Sequence, residues 1–196
     1  MLRLRPRVFN LNLKTNLNRM QIIAEPLSGL LVIKPNVFFD ERGFFLETWQ
    51  KEKYKQIGIQ KDFVQDNWSR SVKGVLRGLH FQKKHPQGKL VSVRTGKVFD
   101  VAVDIRKDSP TYGKWHAEVL SDENHLQMYV PAGFAHGFYV ISNIADFSYK
   151  CTDYYYPEDE GGIVWNDSVI GIRWPAENPV VSEKDQILPE FSSLKT

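Results

Sequence analysis

Two histidines close glycine-marked segments with a fixed spacing. Gly74-Val-Leu-Arg-Gly-Leu-His80 reads Gly-x5-His, and Pro131-Ala-Gly-Phe-Ala-His136 reads Pro-x-Gly-x-x-His. An imidazole can ligate a metal, or it can move a proton near neutral pH. A divalent ion needs about three or four N, O or S ligands converging on one point. After His80 the chain runs Phe81-Gln82-Lys83-Lys84, and no Glu or Asp follows until Asp100, so the two histidines supply only two donors. No metal site is expected. His80 then reads either as a general base or as a core histidine satisfied by a hydrogen bond. His136, beside Gly137, has the same two readings. His85, His116 and His125 lie in polar or turn-like contexts and read as surface residues. Cys151 is the lone cysteine and cannot form an internal disulfide, so it reads as a small apolar residue on a strand.

The elements that must position these groups are short and β-rich, separated by Gly, Pro, Asn and Asp. Strands are predicted over 30–33, 43–49, 63–68, 74–82, 89–95, 98–106, 115–120, 127–130, 137–141 and 146–153. Within 98–106 the alternation is clear: Phe99, Val101, Val103 and Ile105 on one face, Asp100, Asp104 and Arg106 on the other. One short helix is predicted over 49–57, closed by Gly58. Crossover helices are absent, which argues against a parallel α/β sheet and for an all-β barrel or sandwich. The C-terminal part, with Pro175, Pro179 and Pro189, is expected to wrap irregularly around it.

The chain has 196 residues, 42% of them hydrophobic and 13% aromatic, enough for one domain with a sizeable core. It carries no apolar run long enough to span a bilayer, and a cytoplasmic location is expected. The formal net charge of +3 is uneven. Residues 1–19 hold five basic residues and no acid; without them 21 basic residues face 23 acidic ones, a net of −2. The body gives no reason to expect a nucleic-acid partner. Residues 1–19 lack the apolar core of a secretory signal and the serines of a transit peptide. They are expected to be an inert extension, with residues 20–196 as the single domain.

The two histidine segments have the order and separation of the paired motifs of cupins. A metal-binding cupin continues its first motif as His-x-His and then supplies a glutamate; here Gln82 stands at the second histidine position. The wider pattern resembles the dTDP-4-dehydrorhamnose 3,5-epimerase family. It is carried by Asp40-Glu-Arg-Gly-Phe-Phe, Val64-Gln-Asp-Asn67, Leu76-Arg-Gly-Leu-His-Phe-Gln82, Gly88-Lys-Leu-Val91, Phe99-Asp-Val-Ala-Val-Asp-Ile-Arg106, Pro131-Ala-Gly-Phe-Ala-His-Gly137, Tyr149-Lys-Cys-Thr and Gly162-Ile-Val-Trp-Asn-Asp167. These blocks run in the family's order from about Met20 to about Pro189.

The resemblance implies a double-stranded β-helix, a cupin-like jelly roll with short peripheral helices. It implies epimerisation of a dTDP-4-keto-6-deoxyhexose without metal or redox cofactor. His80 would be the base, Asp185 its orienting carboxylate, Tyr149 the acid on the opposite face, and Lys89 the cation beside the enolate. Without the resemblance, Lys89 reads as a solvated loop lysine. Arg42, Glu47, Gln65, Asn67, Arg77 and Lys184 would recognise the nucleotide, Tyr154 would stack on its base, and His136 and Glu160 are further implied site positions. The family also implies a homodimer with exchanged N-terminal strands, so that Arg42 and Glu47 would serve the partner's pocket. A relative that inverts one centre, a metal-dependent cupin and a non-catalytic dTDP-sugar-binding barrel are the rival readings. Arg77 and His80 are three apart, which in a regular strand places them on opposite faces. A bulge at Gly78 would reset the parity; otherwise Arg77 would reach from the rim or serve another subunit.

Overall fold

A computed structural model describes residues 20–195; the expectation for residues 1–19 lies outside them. In chain order the strands are β1 (Gln21–Leu27), β2 (Leu30–Lys34), β3 (Val37–Asp40) and β4 (Gly43–Leu46), followed by helix α1 (Lys51–Gln56). Then come β5 (Gln65–Val72), β6 (Leu76–Gln82), β7 (Lys89–Thr95), β8 (Lys97–Asp104) and β9 (Trp115–Ser121). The last strands are β10 (Gln127–Val130), β11 (Phe134–Val140), β12 (Ile144–Cys151) and β13 (Glu160–Gly162), before helix α2 (Glu183–Gln186).

Two antiparallel sheets face each other as a jelly-roll barrel. One has the order β1-β2-β10-β7-β12-β5, the other β13-β6-β11-β8-β9, and β3-β4 stands apart as a hairpin. The barrel interior is packed with Leu30, Val91, Val98, Ala102, Met128, Phe138 and Phe147, among others. A second apolar layer lies outside the five-stranded sheet, where Val101, Val103 and Ala135 meet Ile163, Ile170 and Phe191 of the C-terminal wrap. A third lies outside the six-stranded sheet, where Leu31, Ile33 and Leu90 meet Tyr54 of α1 and Ile59. Tyr54 is anchored by its hydroxyl, which donates to Gln127 Oε1 at 2.6 Å.

These layers explain the alternation of β8. Its apolar face packs under the C-terminal wrap, and its polar face looks into the barrel. Asp100 and Asp104 are therefore fully buried rather than solvated. An amphipathic strand normally turns its apolar face to the core. Here both faces are covered, and the interior one carries the charge.

Several expected bounds shift. The strand expected over 43–49 ends at Leu46, and the helix begins at Lys51, where the Gln50 side chain accepts from the Lys53 N–H at 2.6 Å. The strand expected over 63–68 becomes β5, extended to Val72 by pairing with β12 along its length. The strand expected to start at Gly137 starts at Phe134, because Pro131–Gly133 form the preceding turn and all seven β11 residues are buried, leaving no alternation to read. β1, β3 and β13 had no sequence signal; most of β1 is exposed and its pairing with β2 is irregular. His85 is exposed, whereas His116 and His125 are only half-exposed. His116 pairs with Ala102 of β8, and His125 sits beside the Phe44 ring, centroids 4.7 Å apart. Cys151 is a buried free thiol on β12. Among the described residues no helix is long and apolar enough to cross a membrane.

Candidate active site

Strand β6 carries the first histidine, and its backbone departs from regular pleating at Gly78. On β11, His136 pairs with His80 while Phe138 pairs with Arg77, so Gly78 and Leu79 together oppose the single residue Gly137. That is a β-bulge, and it restores a common face to residues three apart. Arg77 and His80 accordingly line one cavity. The bulge is possible because glycine meets glycine at the close approach, Gly78 against Gly137. A Cβ on Gly78 would lie 2.6 Å from the Gly137 Cα, and Gly78 has φ +127°. A side chain would be excluded by contact and by conformation together.

The C-terminal wrap brings the carboxylate. Val180 is pinned beside β6 by the Leu76 N–H to Val180 carbonyl bond (2.9 Å) and by its own N–H to the Gly74 carbonyl (2.8 Å). Five residues later Asp185 is buried against His80, with His80 Nε2 and Asp185 Oδ1 2.7 Å apart. The other carboxylate oxygen accepts the Gly78 N–H at 3.2 Å. A carboxylate only accepts, so Nε2 carries a hydrogen, and in the neutral ring Nδ1 keeps the lone pair. Burial opposes ionisation of Asp185, but the His80 hydrogen bond, the attraction of the ring when protonated and the Gly78 N–H outweigh it and hold the carboxyl below its usual range.

The opposite sheet supplies the other groups. On β12 Tyr149 pairs with Val91 of β7 and Asn67 of β5, and Lys89 of β7 lies opposite Cys151. Alternation along these ladders points Lys89, Val91 and Tyr149 inward together. Burial raises the Tyr149 phenol above its ordinary value and lowers the Lys89 ammonium, the latter opposed by Cys151, Asp100 and Glu160.

His80, Lys89, Tyr149, Asp185, Arg77, His136 and Lys184 all line one cavity of about 530 Å³. His80 projects from the five-stranded sheet and Tyr149 from the six-stranded one, so they approach it from facing walls. A smaller adjoining cavity of about 180 Å³ shares His80, Lys89 and Tyr149 and adds Gln65, Asn67, Tyr155 and Glu160. Glu160 accepts from Lys184 Nζ at 2.5 Å and from the Tyr155 hydroxyl at 2.7 Å. These bonds overcome its burial and keep it below the usual carboxyl range.

Three of the expected recognition residues lie elsewhere. Arg42 is on the turn of the β3–β4 hairpin, bonded to Asp40, and Glu47 follows it, ion-paired with Lys53 at 2.7 Å. Neither lines the two cavities of its own chain. Tyr154 is also outside their linings and more than half exposed; its neighbour Tyr155 takes the place in the smaller cavity.

Asp100 lies in one of the blocks that carry the resemblance, but no site role was expected of it. It is fully buried and bonded to His136 Nε2 at 3.0 Å through one oxygen and 3.1 Å through the other. Burial raises its carboxyl above the usual value against the pull of His136. The signal lay in the β8 alternation, which sets Asp100 on one face without saying that this face is interior. Among the described residues no group of three or more His, Cys, Asp or Glu is placed to hold a metal ion.

The arrangement can take a proton from one face of a carbon beside a carbonyl and return one to the other face of the flat intermediate, with a cation at hand for the developing negative charge. Comparison with known proteins agrees with that chemistry. The family described as dTDP-4-dehydrorhamnose 3,5-epimerase matches residues 24–193. The dTDP-4-dehydrorhamnose 3,5-epimerase of Methanothermobacter thermautotrophicus is 51% identical, over 85% of this chain and 91% of the relative. That of Salmonella typhimurium is 51% identical, over 87% and 94%. The crystal structure of dTDP-6-deoxy-D-glucose-3,5-epimerase from Legionella pneumophila, in complex with dTDP-4-keto-L-rhamnose, superposes with a TM-score of 0.86 at 53% identity, covering 89% of this chain and 94% of that one.

Proposed function

Because the chain belongs to the dTDP-4-dehydrorhamnose 3,5-epimerase family, we propose that His80, Tyr149, Lys89 and Asp185 divide the work of its reaction between them. The enzyme is an isomerase. It inverts C3 and C5 of dTDP-4-dehydro-6-deoxy-D-glucose to give dTDP-4-dehydro-L-rhamnose, through enolates.

His80 Nδ1 takes the C5 proton, and the C–H electrons pass into the C4 carbonyl to form an enolate. Asp185 holds the ring through Nε2 and stabilises the imidazolium. A carbon acid beside a ketone is far weaker than imidazolium, and each unit of mismatch costs about 1.36 kcal/mol. Lys89 offsets part of that cost as an ammonium beside the enolate oxygen. Tyr149 then donates its hydroxyl proton to C5 from the opposite face, and both side chains exchange protons with solvent. The same sequence at C3 completes the reaction. The ketone already in the substrate acidifies both carbons, so no redox step is involved. The observation that carries this reading is the placement of His80 and Tyr149 on facing sheets around one cavity.

Gln65, Asn67, Arg77, His136, Glu160 and Lys184, all on the linings, are the nucleotide and sugar contacts of this reading. Arg42 and Glu47 serve the cavity of a second copy in a homodimer with exchanged N-terminal strands. Their position outside both cavities of their own chain supports this, as does the hairpin that carries them, whose Phe38, Phe39, Phe44 and Phe45 are each more than half exposed. We place the enzyme in the cytoplasm, and its product among the precursors of surface polysaccharide.

The test is proton NMR of the enzyme with dTDP-4-keto-6-deoxyglucose in heavy water. Deuterium is expected at both C5 and C3 of the product. Label at one carbon alone would identify a single-centre epimerase, and no label at either would remove the enolate mechanism.

A further inference from the structure

Between the end of β12 at Cys151 and the 3₁₀ turn that begins at Pro157, the backbone has no strand to pair with. Peptide groups without a strand partner are costly wherever water is kept from them. Three glutamine side chains bond to this segment, from three places in the fold. Gln87 Nε2 donates to the Asp153 carbonyl at 2.9 Å. Gln82 Nε2 donates to the Tyr154 carbonyl at 3.0 Å. Gln65 Oε1 accepts the Tyr155 N–H at 2.9 Å, and Gln82 Oε1 accepts the Tyr156 N–H at 2.7 Å.

Gln82 is the centre of this clasp. It is the only one of the three that touches the segment twice, and its remaining Nε2 hydrogen goes to the His85 carbonyl at 2.7 Å. Both amide hydrogens and the amide oxygen are thus committed, and the side chain is 6% exposed. It ties the β6–β7 loop to the tyrosine segment, where His85 also stacks on Tyr156 with centroids 4.3 Å apart. All three glutamines line the smaller cavity, together with Tyr155.

We propose that Gln82 is a positioning residue for nucleotide binding: its carboxamide stands in for a missing strand and fixes the 153–156 segment as the wall against which the nucleotide of the substrate is held. The role is set by chemistry that only a primary amide supplies, two donors and an acceptor on one rigid plane. A histidine at this position would offer at most two groups, and a glutamate none of the donors. The inference rests on the nucleotide-sugar reading above.

The test compares full-length wild type with Gln82→Ala, Gln82→Glu and Gln87→Ala. Steady-state turnover of dTDP-4-keto-6-deoxyglucose is measured alongside calorimetric binding of dTDP alone. Gln82→Ala is expected to raise both KM and the dTDP Kd about tenfold, the effect of one or two lost hydrogen bonds, with kcat within about twofold. Gln82→Glu is expected to bind no better than Gln82→Ala, since a carboxylate cannot donate to either carbonyl. Gln87→Ala, which removes a single contact from a half-buried side chain, is expected to raise KM about threefold, and it decides the matter if the Gln82 variants do not fold. Unchanged KM and dTDP affinity in folded variants, or a Gln82→Glu protein that binds like wild type, would overturn the positioning role. A wild-type protein that neither binds dTDP nor turns over the sugar would instead remove the nucleotide-sugar reading itself.

Discussion

Burial disfavours the charged form of Tyr149, Lys89 and Asp185 alike, and what opposes it differs from one to the next. It keeps Tyr149 a phenol, able to donate, by raising its pKa. It makes the Lys89 ammonium easier to discharge, and the nearby Asp100 and Glu160 work against that loss. In Asp185 it is overcome by His80 and the Gly78 N–H, so the carboxylate stays charged beside the imidazole. The base and the acid are separate residues on separate sheets, which makes their contributions separable. Tyr149→Phe removes the donor but leaves His80, Asp185 and Lys89 in place. This variant is expected to lose inversion by a factor on the order of 10²–10⁴ while still exchanging substrate hydrogen with solvent on the His80 face. Deuterium wash-in followed beside product formation distinguishes the two. Parallel loss of exchange and inversion would mean that Tyr149 does more than deliver a proton.

At the scale of elements, the decisive feature is the bulge in β6. Without it Arg77 and His80 would point to opposite sides of the sheet, and the cavity would lose one or the other. Gly78 and Gly43 share a φ of +127°, but their surroundings differ: a Cβ on Gly78 meets the Gly137 Cα at 2.6 Å and the His136 carbonyl at 2.9 Å, whereas nothing lies within 4 Å of one on Gly43. Alanine at either position incurs the conformational cost; at Gly78 it also forces two strands apart. Gly78→Ala is expected to destabilise the fold by about 2–4 kcal/mol, and Gly43→Ala by about 1 kcal/mol. Urea unfolding of both variants measures the difference, and equal losses would show that strand contact at Gly78 is unimportant. The bulge was legible as a parity conflict between Arg77 and His80. The lengths of β5 and β11 were not, because pairing partners and two-sided burial set them rather than local residue pattern.

At the scale of the molecule, a cluster of phenylalanines stands outside the described core. Phe39 and Phe45 of the β3–β4 hairpin are 72% and 68% exposed, and the same hairpin carries Arg42 away from its own cavity. Burying such a surface against a second copy would be favourable at roughly 25 cal/mol per Å². The protein is expected to sediment as a dimer, and a Phe39→Glu, Phe45→Glu double variant as a monomer with reduced turnover. A fully active wild-type monomer would refute both the assembly and the shared site.

From residue order alone came the all-β class, the limits of β7 and β10, the glutamine at the second histidine position of the first motif, and the blocks by which the family could be recognised. These depend on alternation, turn residues and side-chain identity, which are local properties of the chain. The tertiary structure alone decided that the polar face of β8 is the interior one, that Asp100 reaches His136, that Tyr155 rather than Tyr154 lines the smaller cavity, and that Gln82 is spent on backbone. Each of these depends on what another, distant segment covers or contacts, and a period of two residues carries no record of that.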